Sequence, residues 1–376
     1  MNQQSQPAHR KIMVWDAPIR VFHWLLVAAF ATCWLTYEDN RFLHLHVYAG
    51  YLIIGLLVFR VTWGLVGTRY ARFAEFFHPW SAVRAYAEGL ATGNPRRFVG
   101  HNPLAGWAVL FLMGMTLVIC VTGVVVLGVE EGHGPLGALM SLPTAMFWHE
   151  VHEQLAFVAL WFIPLHLAGV IIEGRVLGES LLKAMITGHK LVEPEHPEVP
   201  PMRKVAAVLL GLAAMGAAVW YSGWFTAGED GYRPFVGRAL PQSALYAEEC
   251  GSCHLAFHPV LLPARSWQAM LDGQADHFGD DLYLDGDTVA ELLAFMLPNA
   301  AESALNEPAY KIDHSVPKDA TPLRITETPY WKKKHDDIPQ RVWDLEQVHG
   351  PLDCPACHLD AEEGMFEDSA MHLPKG

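Results

Sequence analysis

Residues 147–172 read FWHEVHEQLAFVALWFIPLHLAGVII, and from Gln154 to Ile172 they carry no Asp, Glu, Lys or Arg. A bilayer core takes about 20 apolar residues per helix, so the stretch reads as a membrane span. Two histidines lie inside it, His152 near one end and His166 further in. Their spacing turns the helix by about 1400°, only about 40° short of four full turns, and separates them by about 21 Å along the axis. Imidazoles in hydrocarbon are costly, and each is a functional hypothesis by default. Two on one face, at two depths, point to a helical bundle that holds something at two levels of its core.

Four further apolar runs qualify as spans. They cover about Val21–Tyr37, Val47–Gly67, Ala105–Gly128 and Val205–Phe225. Basic residues orient them. Residues 1–20, 68–104 and 173–204 hold thirteen Lys and Arg between them, whereas the other two loops hold only Arg41. This puts the N-terminus in the cytoplasm and everything after Phe225 outside, at a bacterial inner membrane. The first run has a basic flank like a signal peptide, but its His23 and Trp24 and the later spans favour an uncleaved helix. Arg60, near the cytoplasmic end of the second run, reads as a snorkelling side chain.

Composition divides at the same place. The whole chain is 52% apolar and 18% charged, with a mean hydropathy of +0.17. Residues 1–225 have a net charge of +1, and residues 226–376 one of −15. A wholly soluble protein and a disordered one are excluded. The acidic part does not favour nucleic acid and suits a basic or neutral protein partner. The expected organisation is a four-span membrane domain over 1–200, a fifth span with its linker over 201–240, and a soluble domain over 241–376.

The other spans supply partners for His152 and His166. His46 opens the second span on the outer side, and His23 lies near the cytoplasmic end of the first. Depth pairs His46 with His152 and His23 with His166. Four such residues at two matching depths are haem iron ligands rather than chance polar contacts. His44, two residues from His46, points roughly 160° away. His149 stands about 100° off the face of His166. Cys33 and Cys120 read as small buried apolar residues.

Outside the membrane, Cys250-Gly-Ser-Cys253-His254 and Cys354-Pro-Ala-Cys357-His358 repeat one frame. C-x-x-C-H attaches a c-type haem: two thiols add to the vinyl groups, and the histidine becomes an axial ligand. A redox dithiol or half of a zinc site would not need the histidine twice. The sixth iron position has many candidates: His258, His277, His314, His335, His349, His372, Met270 and Met296. His258 and His349 lie too close to their own frames, on the assumption of local helix. His277 and His335 stand modestly ahead of His314.

Residues 245–373 resemble the bacterial dihaem cytochrome c family that partners a small oxygen-binding haem protein. The resembling strings are CGSCHLAF, LLPARSWQAML, HFGDD, LRITETPYWKKKH, CPACH and EEGMFEDSAMHLP. The resemblance implies bis-histidine ligation of both c-haems, with His277 and His335 as sixth ligands, and leaves His258, where the family has Pro, without that role. Residues 13–190 resemble the bacterial cytochrome b561 family and the b-type subunits of nickel-iron hydrogenases, in VWDAPIRVFHWLL, LHVYAGYLIIGLLVFRVTWGLVGTRYARF and HEVHEQLAFVALWFIPLHLAGVI. That resemblance implies two b-haems on the four histidines and electron exchange with quinones. Arg60 and His101 are speculative neighbours of a quinone site.

The fold class expected is all-α: a four-helix transmembrane di-haem b bundle, a fifth transmembrane helix and a mainly helical dihaem cytochrome c domain. The function expected is electron transfer from quinol through two haem b and two covalent haem c to a periplasmic haem protein. It is that of an electron-transfer protein or quinol oxidoreductase component, not a self-contained enzyme. The alternative is reverse flow, from a periplasmic donor to quinone, and a distant third is a haem-based redox sensor.

Overall fold

The computed structural model describes residues 10–38, 42–130, 142–192 and 239–374, with a few positions between. They fall into two compact units, one built mainly of long apolar helices and one mainly of the C-terminal residues.

In the first unit, β1 (Arg10–Met13) leads into α1 (Ala17–Leu35) and α2 (Leu43–Val66). A short α3 (Trp80–Ala91) precedes α4 (Pro103–Val129) and α5 (Leu142–Leu177), of which residues 124–150 belong to the second unit. The unit closes with α6 (Leu181–Thr187) and β2 (His189–Val192). Among the described residues, α1, α2, α4 and α5 are long and apolar enough to cross a membrane. Their outward side chains, among them Leu35, Leu65, Trp161 and Leu165, are apolar and exposed, as lipid-facing residues must be. The fifth span expected at Val205–Phe225 lies mostly outside the described residues, as does most of both linkers.

Asp16 starts α1. Its Oδ1 accepts from the Ile19 amide at the helix N-terminus, while Oδ2 accepts from Trp63 Nε1 at 3.0 Å and Thr68 Oγ1 at 2.7 Å. One buried carboxylate thus caps α1 and ties it to the end of α2. Ile19, Phe22 and Ala29 of α1 pack against Leu52, Leu56 and Phe59 of α2, with Cys120 of α4 in the same cluster. Cys120 is buried among apolar neighbours, in keeping with the packing role read from the sequence.

The strands are a feature that periodicity did not signal. β1 pairs antiparallel with β2, from Arg10 opposite Val192 to Met13 opposite His189. The chain therefore returns beside its own start after α5.

The C-terminal unit is made of short helices with 3₁₀ turns: α7 (Ala244–Cys250), α8 (Ala264–Asp272), α9 (Gly286–Met296), α10 (Glu307–Ser315), α11 (Pro329–His335) and α12 (Gln340–Trp343). Side-chain caps set their starts. Ser243, Asp285, Asn306 and Thr328 each accept from an amide two or three residues on. Leu262, Trp267, Leu292, Met296 and Ile312 form the core. Asn306 also donates to the carbonyls of Gly364 and Met365, joining α10 to the chain beyond the second C-x-x-C-H frame.

Candidate cofactor sites

Three histidine pairs face one another at nearly the same spacing. His46 on α2 and His152 on α5 have ring centroids 6.2 Å apart. His254 and His277 are 6.3 Å apart, and His335 and His358 are 6.4 Å apart. A metal about 2.0 Å from one nitrogen of each of two imidazoles sets their centroids roughly 6.3 Å apart. Each pair therefore has room for one iron between its rings.

Hydrogen bonds choose which nitrogen is presented. His46 Nδ1 donates to the Cys33 carbonyl at 3.1 Å, and His152 Nδ1 to the Ile119 carbonyl at 3.0 Å, with Thr122 Oγ1 also at 3.0 Å. His254 Nδ1 donates to the Leu255 carbonyl and His335 Nδ1 to the Trp331 carbonyl, each at 2.7 Å. Donation from Nδ1 fixes the tautomer and leaves Nε2 with its lone pair free for a metal. Burial pushes His277, His335 and His358 down, the last to about 4, a shift toward the neutral form that a metal ligand needs. Among buried nitrogens, His23 Nδ1, His277 Nδ1 and His358 Nδ1 have no protein partner.

Local backbone holds each outer histidine in place. His277 opens a tight turn in which its amide donates to the Asp280 carbonyl at 2.6 Å, and the Asp280 amide donates back at 3.3 Å. Phe278 and Gly279 at its tip have φ of 56° and 111°, the positive values a two-residue hairpin turn demands. His335 ends α11 and stacks on Trp331, one turn earlier, with centroids 4.3 Å apart. His358 is bracketed from the C-terminal side: the Leu359 amide donates to Ala370 O, and the His372 amide to Cys357 O.

Burial pushes Cys250 and Cys354 up to about 11, and raises Cys357 as well. Reactive dithiols have depressed values instead. His254 also lines a cavity of about 460 Å³ with the chain from His349 to Asp353 that leads into Cys354. The two frames, 104 residues apart in sequence, are thus neighbours in space.

In the membrane helices, glycine makes the room. A Cβ on Gly123 would stand 2.9 Å from His152 Cε1, so only glycine lets that imidazole lie against α4. Gly50, one turn after His46, and Gly169, three residues after His166, would carry a Cβ with no atom within 4 Å. Both flank ligand candidates with the open cradle a flat macrocycle needs.

Of the rival histidines, His258 is bonded at both ring nitrogens, whereas His149, His314 and His349 are bonded at Nδ1 alone. His149 Nδ1 bonds the Glu130 carboxylate at 3.0 Å. His258 is buried, with Nε2 donating to Pro241 O at 2.8 Å and Nδ1 accepting from the Val260 amide. The chain from Cys253 to His258 is not helical, so it is this double engagement, and not a shared helix face, that sets His258 aside. His314 bonds Tyr310 O, and His349 bonds Asp353. Met296 is buried in the apolar core. Arg60 departs from the sequence reading. It does not snorkel but is 3% exposed, with its guanidinium carbon 4.8 Å from the Phe73 ring centre and 5.2 Å from that of Phe76. The covering segment, 73–76, lies in a loop whose fold no local pattern announces.

Known proteins match the two ends of the chain separately. The family model described as prokaryotic cytochrome b561 matches residues 14–188, and that of dihaem cytochrome c matches residues 246–366. A probable Ni/Fe-hydrogenase B-type cytochrome subunit of Rhizobium leguminosarum bv. viciae is 25% identical over 215 residues, 48% of this chain and 90% of the relative. The dihaem cytochrome c from Rhodobacter sphaeroides is 35% identical over 34% of this chain and 100% of its own, with a TM-score of 0.31. A dihaem cytochrome type c from Shewanella baltica OS155 is 34% identical over 36% of this chain and 95% of its own, with a TM-score of 0.29. The N-terminal part of this haem-binding, integral membrane electron-transfer chain is thus similar to prokaryotic cytochrome b561, and its C-terminal part to dihaem cytochrome c.

Proposed function

We propose that the protein passes electrons from membrane quinol, through two b-haems in the helices and two c-haems on the C-terminal domain, to a periplasmic haem protein. The observation that carries this reading is the set of three imidazole pairs spaced for one iron, one pair in the apolar helices and one beside each C-x-x-C-H frame. The haems supply one-electron redox chemistry when bound. The chain supplies the rest. His46 with His152 holds the outer b-haem, and His23 with His166 the inner one. His277 faces His254, and His335 faces His358, so each pair would hold a c-haem iron between two imidazoles and leave it to carry electrons, with no open position for a substrate. Apolar helices exclude water from the inner pair, and the negative C-terminal domain draws a partner with a basic or neutral face. The β1–β2 pairing supports a membrane domain that enters and leaves on one side, with basic residues on that side. The hydrogenase-linked relatives favour a second reading, in which a periplasmic donor fills the c-haems and the b-haems reduce quinone.

Pyridine haemochrome spectra of the purified protein test the cofactor set. Two extractable b-haems and two c-haems that stay on the polypeptide in a denaturing gel are expected. A c:b ratio far from one contradicts the reading. A periplasm-active phosphatase joined after Gly376 should be active, and one inserted near Arg96 silent. The opposite pattern places the c domain in the cytoplasm and ends the proposal. Gly123→Val should cost the outer b-haem alone, because the added methyls occupy the place of the His152 ring. Retention of both b-haems in that variant would show that the ring has another seat.

A further inference from the structure

Arg60 is a buried cation in the apolar part of the bundle, and its Nη1 has no hydrogen-bond partner. Such a group costs several kcal/mol unless something satisfies it. Asp16 is the acid that senses it, but both Asp16 oxygens are taken by Ile19, Trp63 and Thr68. Phe73 and Phe76 offer their ring faces, which attract a cation but accept no directed hydrogen bond at Nη1. His101, wedged between Trp15 and Phe76, is pushed down to about 3, first by burial and then by Arg60 and Lys190, so it offers no counter-charge to Arg60.

Its position along α2 is informative. Arg60 follows His46 by the same number of residues as His166 follows His152. Both helices are continuous over these stretches and run from the outer to the inner level. Arg60 therefore lies about 21 Å deeper than His46, on nearly the same face, at the level of His166. His23 of α1 and His166 of α5 would hold the haem of that level, and α2 would then flank it. A haem edge carries two carboxylates, and a guanidinium is the side chain whose planar fork matches a carboxylate.

We propose that Arg60 binds a propionate of the inner b-haem, through the Nη1 that the protein leaves unpaired, and thereby raises the potential of that haem. This rests on the reading of His23 and His166 as its ligands. A fixed positive charge at the propionates favours reduction, which adds an electron to the site. Removing it lowers the potential of the inner haem and not that of the outer haem.

The test is a redox titration of the purified holoprotein with the two b-haem transitions resolved. Arg60→Gln should lower the inner potential by about 59 mV or more, a tenfold change in the reduction equilibrium. Arg60→Lys, which keeps the charge without the fork, should lower it less. The outer b-haem and both c-haems should not move. Unchanged inner potentials in both variants, or a shift confined to the outer haem, overturn the proposal, and a purely structural Arg60 would give the former. Haem dimethyl ester loaded into the unsubstituted chain gives a reading independent of either variant's folding: the inner potential should fall, and an unchanged value overturns the proposal. His23→Ala is the separate check on the ligand reading. Retention of both b-haems there would remove the inner site itself, whatever the arginine variants show.

Discussion

His335→Ala should open one c-haem and leave the other closed. The haem on Cys354 and Cys357 should become high-spin, bind carbon monoxide and shift in potential, while the haem on Cys250 and Cys253 keeps its six-coordinate spectrum. His277→Ala should do the reverse. The assignment comes from geometry: His335 faces His358 at 6.4 Å, and His277 faces His254 at 6.3 Å. Covalent attachment keeps each haem on the chain after its outer ligand is lost, so the effect is on coordination and not on content. Magnetic circular dichroism with carbon monoxide titration reads it. Opening of the wrong haem in either variant would show that the histidines are paired otherwise.

The largest change in content is expected in the membrane. His46→Ala and His152→Ala should each remove the outer b-haem, leaving one extractable haem b for two c, and should slow b-to-c electron transfer more than tenfold. Loss of an axial ligand should exceed the roughly 10–100-fold affinity cost of altering groups that merely orient a ligand. His152→Ala also removes the contacts of the ring with Thr122 Oγ1 and the Ile119 carbonyl. His44→Ala and His149→Ala should retain both b-haems, His149 being held by Glu130. Haem extraction and difference spectra decide the matter. Loss of a haem from His149→Ala, with none from His152→Ala, would place the iron on the other face of α5.

Most of this architecture is legible in the residues because its signals are local. An apolar run of sufficient length is a span wherever it sits, and the 14-residue spacing of His152 and His166 fixes a shared face before any packing is known. The C-x-x-C-H frames carry their own meaning. What the residues do not show depends on contacts between distant segments. His277 and His335 are each plausible for either frame until the chain brings α11 to the second. Gly123 looks like any glycine in an apolar helix until α5 places an imaging neighbour, the His152 ring, against it. Arg60 reads as a snorkelling side chain because its cover, Phe73 and Phe76, comes from a loop. The β1–β2 pair joins segments about 180 residues apart, each too short to announce a strand.

Anaerobic stopped-flow mixing of the oxidised holoprotein with a quinol tests the central claim most directly, because the b and c bands can be followed separately. The b-haems should be reduced first and the c-haems afterwards. Added small soluble haem protein should then reoxidise the c-haems, at a rate that falls as ionic strength rises. Quinol that leaves all haems oxidised, while a reduced periplasmic donor fills all of them and goes on to reduce quinone, would contradict the outward direction and establish the reverse one.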